Sequence, residues 1–146
     1  LKIGSRKTSL IPPSDFLILP SSFEKLPMKR TLVLGASTNP SRASYQAVHR
    51  LLNNGHEPIL VGIKKGEVAG IPILHGEPEL EDIDTITLYM NPVRQQPLYD
   101  YILGLSARRI IFNPGTENAE LIRLAREKNM EVEVACTLVM LASAQY

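Results

Sequence analysis

The chain has 146 residues, 44% hydrophobic and 21% charged, which suits one globular domain and excludes a disordered or fibrous chain. No apolar stretch approaches the roughly 20 residues that span a bilayer, and the one cysteine, Cys136, excludes an internal disulfide framework and fits a reducing compartment such as the cytoplasm. The net charge of +1 is uneven: residues 1–27 hold four Lys/Arg against two Asp/Glu, so the other 119 carry a net of −1 and bulk charge offers nothing toward nucleic acid.

Residues 1–27 also carry four of the eleven prolines and no sustained period. Their one apolar run, Phe16–Leu19, is closed by Pro20. It is shorter than the roughly 7–15 residues of a secretory core. The expectation is a weakly structured extension, or upstream sequence, followed by a domain over 28–146.

From Met28 on, strand and helix signals alternate. Thr31–Leu34 is a β-rich run ending at Gly35. Arg42–Asn54 has a helical period, with Ala47, Val48, Leu51 and Leu52 on one face and Asn54-Gly55 as a stop. Pro58–Val61 is the second strand, and a turn-rich loop, Gly62–Gly70, leads to a short apolar piece, Ile71–Leu74. Thr85–Tyr89 is the next strand. Pro97 opens a helix striped by Leu98, Tyr101, Ile102 and Leu105. Arg109–Phe112 is another strand. Thr116 is the expected N-cap of a helix with Leu121, Leu124 and Ala125 on its buried face. Glu131–Val134 alternates like a half-exposed strand, and Thr137–Ala144 fits a last short helix.

Strands alternating with helices of about 10–13 residues predict βαβ units. The fold class is therefore α/β: a Rossmann-like, doubly wound parallel sheet in a single domain. Ligands of such sheets bind outside the carboxyl ends of the strands. The candidate loops are those after Leu34, Val61, Tyr89, Phe112 and Val134.

The first loop, Gly35-Ala36-Ser37-Thr38-Asn39-Pro40-Ser41-Arg42, leads into a helix that opens with Ala43-Ser44-Tyr45. A helix start supplies free N–H groups and a positive dipole end, and the hydroxyls and Arg42 add donors suited to phosphate. The loop lacks the later glycines of G-x-G-x-x-G and the G-K-[ST] of a P-loop. Its plain alternative is a capped strand–helix turn. In the second loop, Gly62-Ile63-Lys64-Lys65-Gly66, two lysines stand where an NAD site would carry an acid. They suit a phosphate on the adenosine ribose, as in NADP or coenzyme A, or they are simply a solvated loop.

These residues carry a resemblance. Met28–Tyr146 resembles the small stand-alone CoA-binding proteins, similar to the CoA-binding domain of the succinyl-CoA synthetase α-subunit. The matching features, in order, are Gly35 with Ser37-Thr38-Asn39-Pro40-x-Arg42, Lys64-Lys65-Gly66, Tyr89-Met90-Asn91-Pro92, Asn113-Pro114-Gly115-Thr116-Glu117, and Cys136. The resemblance implies that the first loop and helix start, with Ala36, Ser44 and Tyr45, hold the CoA pyrophosphate. It assigns Gly62–Lys65 to the adenosine and its 3′-phosphate, and the Tyr89–Pro92 and Asn113–Glu117 loops to the pantetheine path. Where the family usually has Asn-Pro after strand 2, this chain has Gly62-Ile63, which leaves the adenine contacts open. The synthetase's phosphohistidine belongs to a second domain, so the resemblance carries binding without ligase chemistry.

The remaining residues give little sign of catalysis. His49, His56 and His75 have no metal-ligand spacing, and no second cysteine exists for a Cys/His site. The acidic run from Glu77 to Asp84 fits a solvated turn. Cys136 precedes a helix, where its thiol is either a small buried apolar group or able to form a mixed disulfide with CoA under oxidation. The expectation is a protein that binds CoA or an acyl-CoA and has no catalytic residues and no metal. It would use neither a nucleic acid nor a membrane as partner, and a symmetric dimer is possible. The alternatives are an NADP-binding regulator and a scaffold with a vestigial pocket.

Overall fold

Strand β1 (Arg30–Leu34) is buried at its last four positions and runs inside a seven-stranded sheet. The structure, a computed structural model, describes residues 28–146; the readings made on residues 1–27 lie outside the described residues. The other strands are β2 (Glu57–Val61), β3 (Glu67–Val68), β4 (Ile71–Leu74), β5 (Thr85–Leu88), β6 (Arg109–Phe112) and β7 (Glu131–Val134). Their order across the sheet is β3-β4-β2-β1-β5-β6-β7, and every pairing is parallel except the β3–β4 hairpin. Leaving out β3, this is the doubly wound order, with the direction of winding reversing between β1 and β5.

All four residues of β5 and of β6 are buried, as a parallel sheet covered on both faces requires. Side chains alternate between faces. Leu32 and Leu34 join Ile86, Leu88, Ile110 and Phe112 in one core cluster, while Val33 joins Leu60 and Ile111 in the other. Helix α1 (Ala43–Asn53) and helix α5 (Thr137–Ala142) seal the second cluster through Val48, Leu51, Met140 and Leu141. Helices α3 (Tyr99–Gly104) and α4 (Ala119–Glu127) seal the first through Ile102, Leu121 and Ala125. Each fully buried Leu or Ile contributes about 1.5–3 kcal/mol relative to an exposed one.

The structure differs from the sequence reading at several points, among them a strand, β3, inside the expected loop Gly62–Gly70. Leu52, expected on the buried face of α1, is 39% exposed. The helical turn after β5 opens at Pro92, not Pro97: α2 spans Pro92–Gln95 with Asn91 as N-cap. Pro97 lies in a 3-10 turn, Gln96–Leu98, which separates α2 from α3. A proline ring interrupts the α-helical ladder, so the segment divides there. Asn118, not Thr116, caps α4, accepting from the N–H groups of Glu120 and Leu121 at 3.1 and 3.2 Å. Thr116 turns its hydroxyl back onto the Asn113 carbonyl at 2.8 Å.

Candidate functional site

Two glycines draw the strand ends together. Gly35 closes β1 at φ 103°, and a Cβ there would lie 2.9 Å from the Tyr89 carbonyl carbon, so only glycine lets the ends of β1 and β5 approach this closely. A Cβ on Gly62 would strike the Ala36 carbonyl oxygen. The N–H groups of Gly35 and Ala36 both donate to the Val61 carbonyl at 2.9 Å, which binds the loop after β1 to the end of β2.

The loop after β1 shapes itself with its own side chains. Ser37 Oγ accepts from the Asn39 N–H at 3.0 Å, and Asn39 Oδ1 accepts from Ser41 N–H at 3.0 Å and from Ser41 Oγ at 2.8 Å. These bonds turn the chain into α1. Arg42 occupies the N-cap with extended backbone and no side-chain cap, and the first turn of this 11-residue helix holds no acid. An uncapped helix start with Thr38, Asn39, Pro40 and Arg42 exposed around it is suited to an anion. Ala36 and Ser44 are buried, and Tyr45 is half-buried with its ring 4.9 Å from that of His49. Ser44 is thus enclosed, and Tyr45 packs against the core cluster on this side of the sheet.

Ile63, Lys64 and Lys65 are exposed beyond β2, with buried Gly62 at their root. After β5, Met90 is buried and Asn91 caps α2 by accepting from the Arg94 N–H at 3.0 Å. The Tyr89 hydroxyl is buried beside the Thr87 and Thr137 hydroxyls. Burial pushes its ionisation up to about 12, against a downward pull from the two threonine hydroxyls.

After β6, Asn113 is buried and holds the scaffold. Its Nδ2 donates to Thr87 Oγ1 at 2.7 Å and to the Leu88 carbonyl at 2.8 Å, while its Oδ1 accepts from the Thr137 N–H at 2.8 Å. Pro114, Gly115 and Glu117 are exposed, and Glu117 accepts from the Gly115 N–H at 2.8 Å. Cys136 is half-buried at the N-cap of α5.

The sequence-predicted residues thus gather at the carboxyl end of the parallel strands. Ser44, the Tyr89 hydroxyl and the Asn113 side chain point into the scaffold rather than into open space. Arg42, Lys64 and Lys65 form no ion pair among the described residues, and neither does Arg94, which sequence reasoning passed over. Its signal was the Asn91-Pro92 pair, a helix-start signature that sets Arg94 beside the strand ends. Two shallow cavities of about 500 and 450 Å³ lie elsewhere, against the outer side of α4 and between residues 77–81 and α3.

Fold and site together define a doubly wound α/β domain with an open, cation-flanked end. Its family follows from comparison: the chain belongs to the CoA binding domain family, which it matches over residues 29–142. An uncharacterized protein of known crystal structure is 49% identical, with a TM-score of 0.81, over 83% of this chain and 100% of that one. A Thermus thermophilus protein is 20% identical (TM-score 0.71; 82% and 91% covered). A hypothetical protein from Pyrococcus horikoshii is also 20% identical (TM-score 0.72; 81% and 84% covered). The last two likenesses speak for the fold alone. No curated protein matches the chain.

Proposed function

We propose that residues 28–146 bind coenzyme A or an acyl-CoA without catalysing a reaction on it, and that residues 1–27 are dispensable for this. The observation that carries the reading is the uncapped start of α1, flanked at the strand ends by cations without an ion pair among the described residues, in a chain of the CoA binding domain family. The pyrophosphate sits at the N-terminus of α1, held by backbone N–H groups and Arg42. Lys64 and Lys65 take the 3′-phosphate as point charges on flexible stems. The pantetheine arm runs between the Met90–Pro92 and Pro114–Glu117 lips. The same lysines suit the 2′-phosphate of NADP, so that ligand belongs in the test.

Thermal unfolding with CoA, dephospho-CoA, acetyl-CoA, NADP and NAD at matched concentrations tests the reading. A ligand at 100 times its Kd adds about 2.7 kcal/mol of stability. CoA and acetyl-CoA should raise the midpoint most, dephospho-CoA less. A response to NADP alone, or to none of the five, contradicts the proposal.

A further inference from the structure

Gln95 is the last residue of α2 and is fully buried, which is unusual for an amide side chain. Both of its N–H donors are committed, and its oxygen accepts one hydrogen bond. Its Nε2 donates to the Met90 carbonyl and to the Thr116 carbonyl, each at 2.8 Å. Its Oε1 accepts from Asn118 Nδ2 at 2.8 Å, and Asn118 Nδ2 also reaches the Tyr99 hydroxyl at 2.8 Å. One side chain therefore joins the loop after β5 to the loop after β6.

The bonds hold one buried residue within each lip, and the residues beside it are exposed. Met90, Thr116 and Asn118 are buried, whereas Asn91, Pro114, Gly115 and Glu117 are exposed. Asn113 ties the strand ends below this level, so it fixes the sheet rather than the lips. A buried network in which both amide nitrogens use both donors holds its members rigidly. We propose that Gln95 is a positioning residue that sets the separation of the two lips, and so the fit of the pantetheine arm but not of the nucleotide. The inference rests on the CoA reading above. It adds that recognition of the ligand's two halves is separable, with Gln95 governing only one.

The test is calorimetric titration of the full chain and of Gln95→Met with CoA and with adenosine 3′,5′-bisphosphate, which lacks the arm. Methionine keeps the volume and removes the three hydrogen bonds. CoA affinity should fall about tenfold as preorganisation of the lips is lost, while the bisphosphate changes less than about twofold, within ordinary mutational scatter. If Gln95→Met does not fold, Gln95→Glu carries the same test, because it keeps the shape and the oxygen that accepts from Asn118 and removes the amide nitrogen that joins the Met90 and Thr116 carbonyls. Parallel weakening of both ligands, or no change in either, overturns the clamp alone. A wild-type chain that binds neither ligand overturns the CoA reading and the clamp with it.

Discussion

The two ends of the sheet treat charge in opposite ways. At the amino end, cations are engaged with the fold. Arg30 pairs with Glu57 at 3.4 Å, and Arg108 with Asp84 at 2.9 Å and Glu131 at 2.8 Å. Buried Arg109 donates to Thr85 Oγ1 at 3.1 Å and to the Tyr146 carbonyl at 2.8 Å. Its guanidinium lies 4.5 Å from the Tyr146 ring centroid, and the Tyr146 hydroxyl bonds to Thr31. At the carboxyl end, Arg42, Lys64, Lys65 and Arg94 have no acidic partner among the described residues, and α1 starts uncapped. A fold gains nothing from leaving like charges unpaired at one place. The difference supports the proposal that the carboxyl end takes the ligand while the amino end serves stability.

The largest effect that would break this comparison belongs to the amino end. Arg109→Ala removes a buried charged donor and its packing on Tyr146, and should cost about 2–4 kcal/mol in urea unfolding. The CoA affinity of the folded fraction should stay within about twofold of wild type, as for sites well separated from the change. Loss of affinity at undiminished stability would reverse the assignment of the two ends.

Gly62→Ala strikes the other end. Its Cβ meets backbone, the Ala36 carbonyl oxygen, which cannot swing aside. The overpacking should cost about 1–3 kcal/mol. Here the folded variant should also bind CoA more weakly, since the loops after β1 and β2 are forced apart. A variant that is destabilised yet binds normally would show that the two loops need not touch.

Acid titration gives a smaller effect, confined to the amino end. His56 is buried, its Nδ1 accepts from the Lys29 N–H at 3.0 Å, and its ring packs 4.9 Å from that of Tyr146. Burial lowers its pKa, and the charges of Lys29 and Arg109 lower it further, against an upward pull from Asp84. The folded value therefore lies below the ordinary 6.5. Between the two, the unfolded chain binds the proton more readily, so this contribution is complete above the ordinary value and is lost as pH falls below it. Unfolding midpoints measured across that range should decline toward acid, and His56→Gln should flatten the slope. An unchanged slope would mean that His56 carries no part of the acid response.

Lys64→Glu should have the smallest effect on stability, within about 0.5 kcal/mol, because the side chain is exposed and has no ion pair among the described residues. It should nevertheless erase the preference for CoA over dephospho-CoA in a binding titration. A preserved preference would move the 3′-phosphate away from this loop.

Much of the frame was legible in the sequence because parallel strands are apolar runs. Thr31–Leu34, Arg109–Phe112 and their neighbours announced themselves, and Gly35 and Gly62 marked where two of them end. The candidate loops followed from topology alone. What escaped depended on contacts far apart in the chain. Thr116 and Asn118 are both good caps by residue type; Asn118 has the role because Gln95 holds the Thr116 backbone and the Thr116 hydroxyl turns back on Asn113. Gln95 fell in the unassigned stretch before the helix expected from Pro97, and burial of an amide depends on partners that periodicity does not reveal. Tyr89 and Asn113 were legible as members of the loop cluster, but not as side chains directed into the scaffold.

Backbone amide chemical shifts followed through a titration with CoA test the central claim most directly. Shifts confined to the carboxyl end, at Ala36–Tyr45, Gly62–Gly66, Met90–Gln95 and Asn113–Glu117, are the predicted result. Shifts centred on Lys29, His56, Arg109 and Tyr146, or none at saturating CoA, would contradict it.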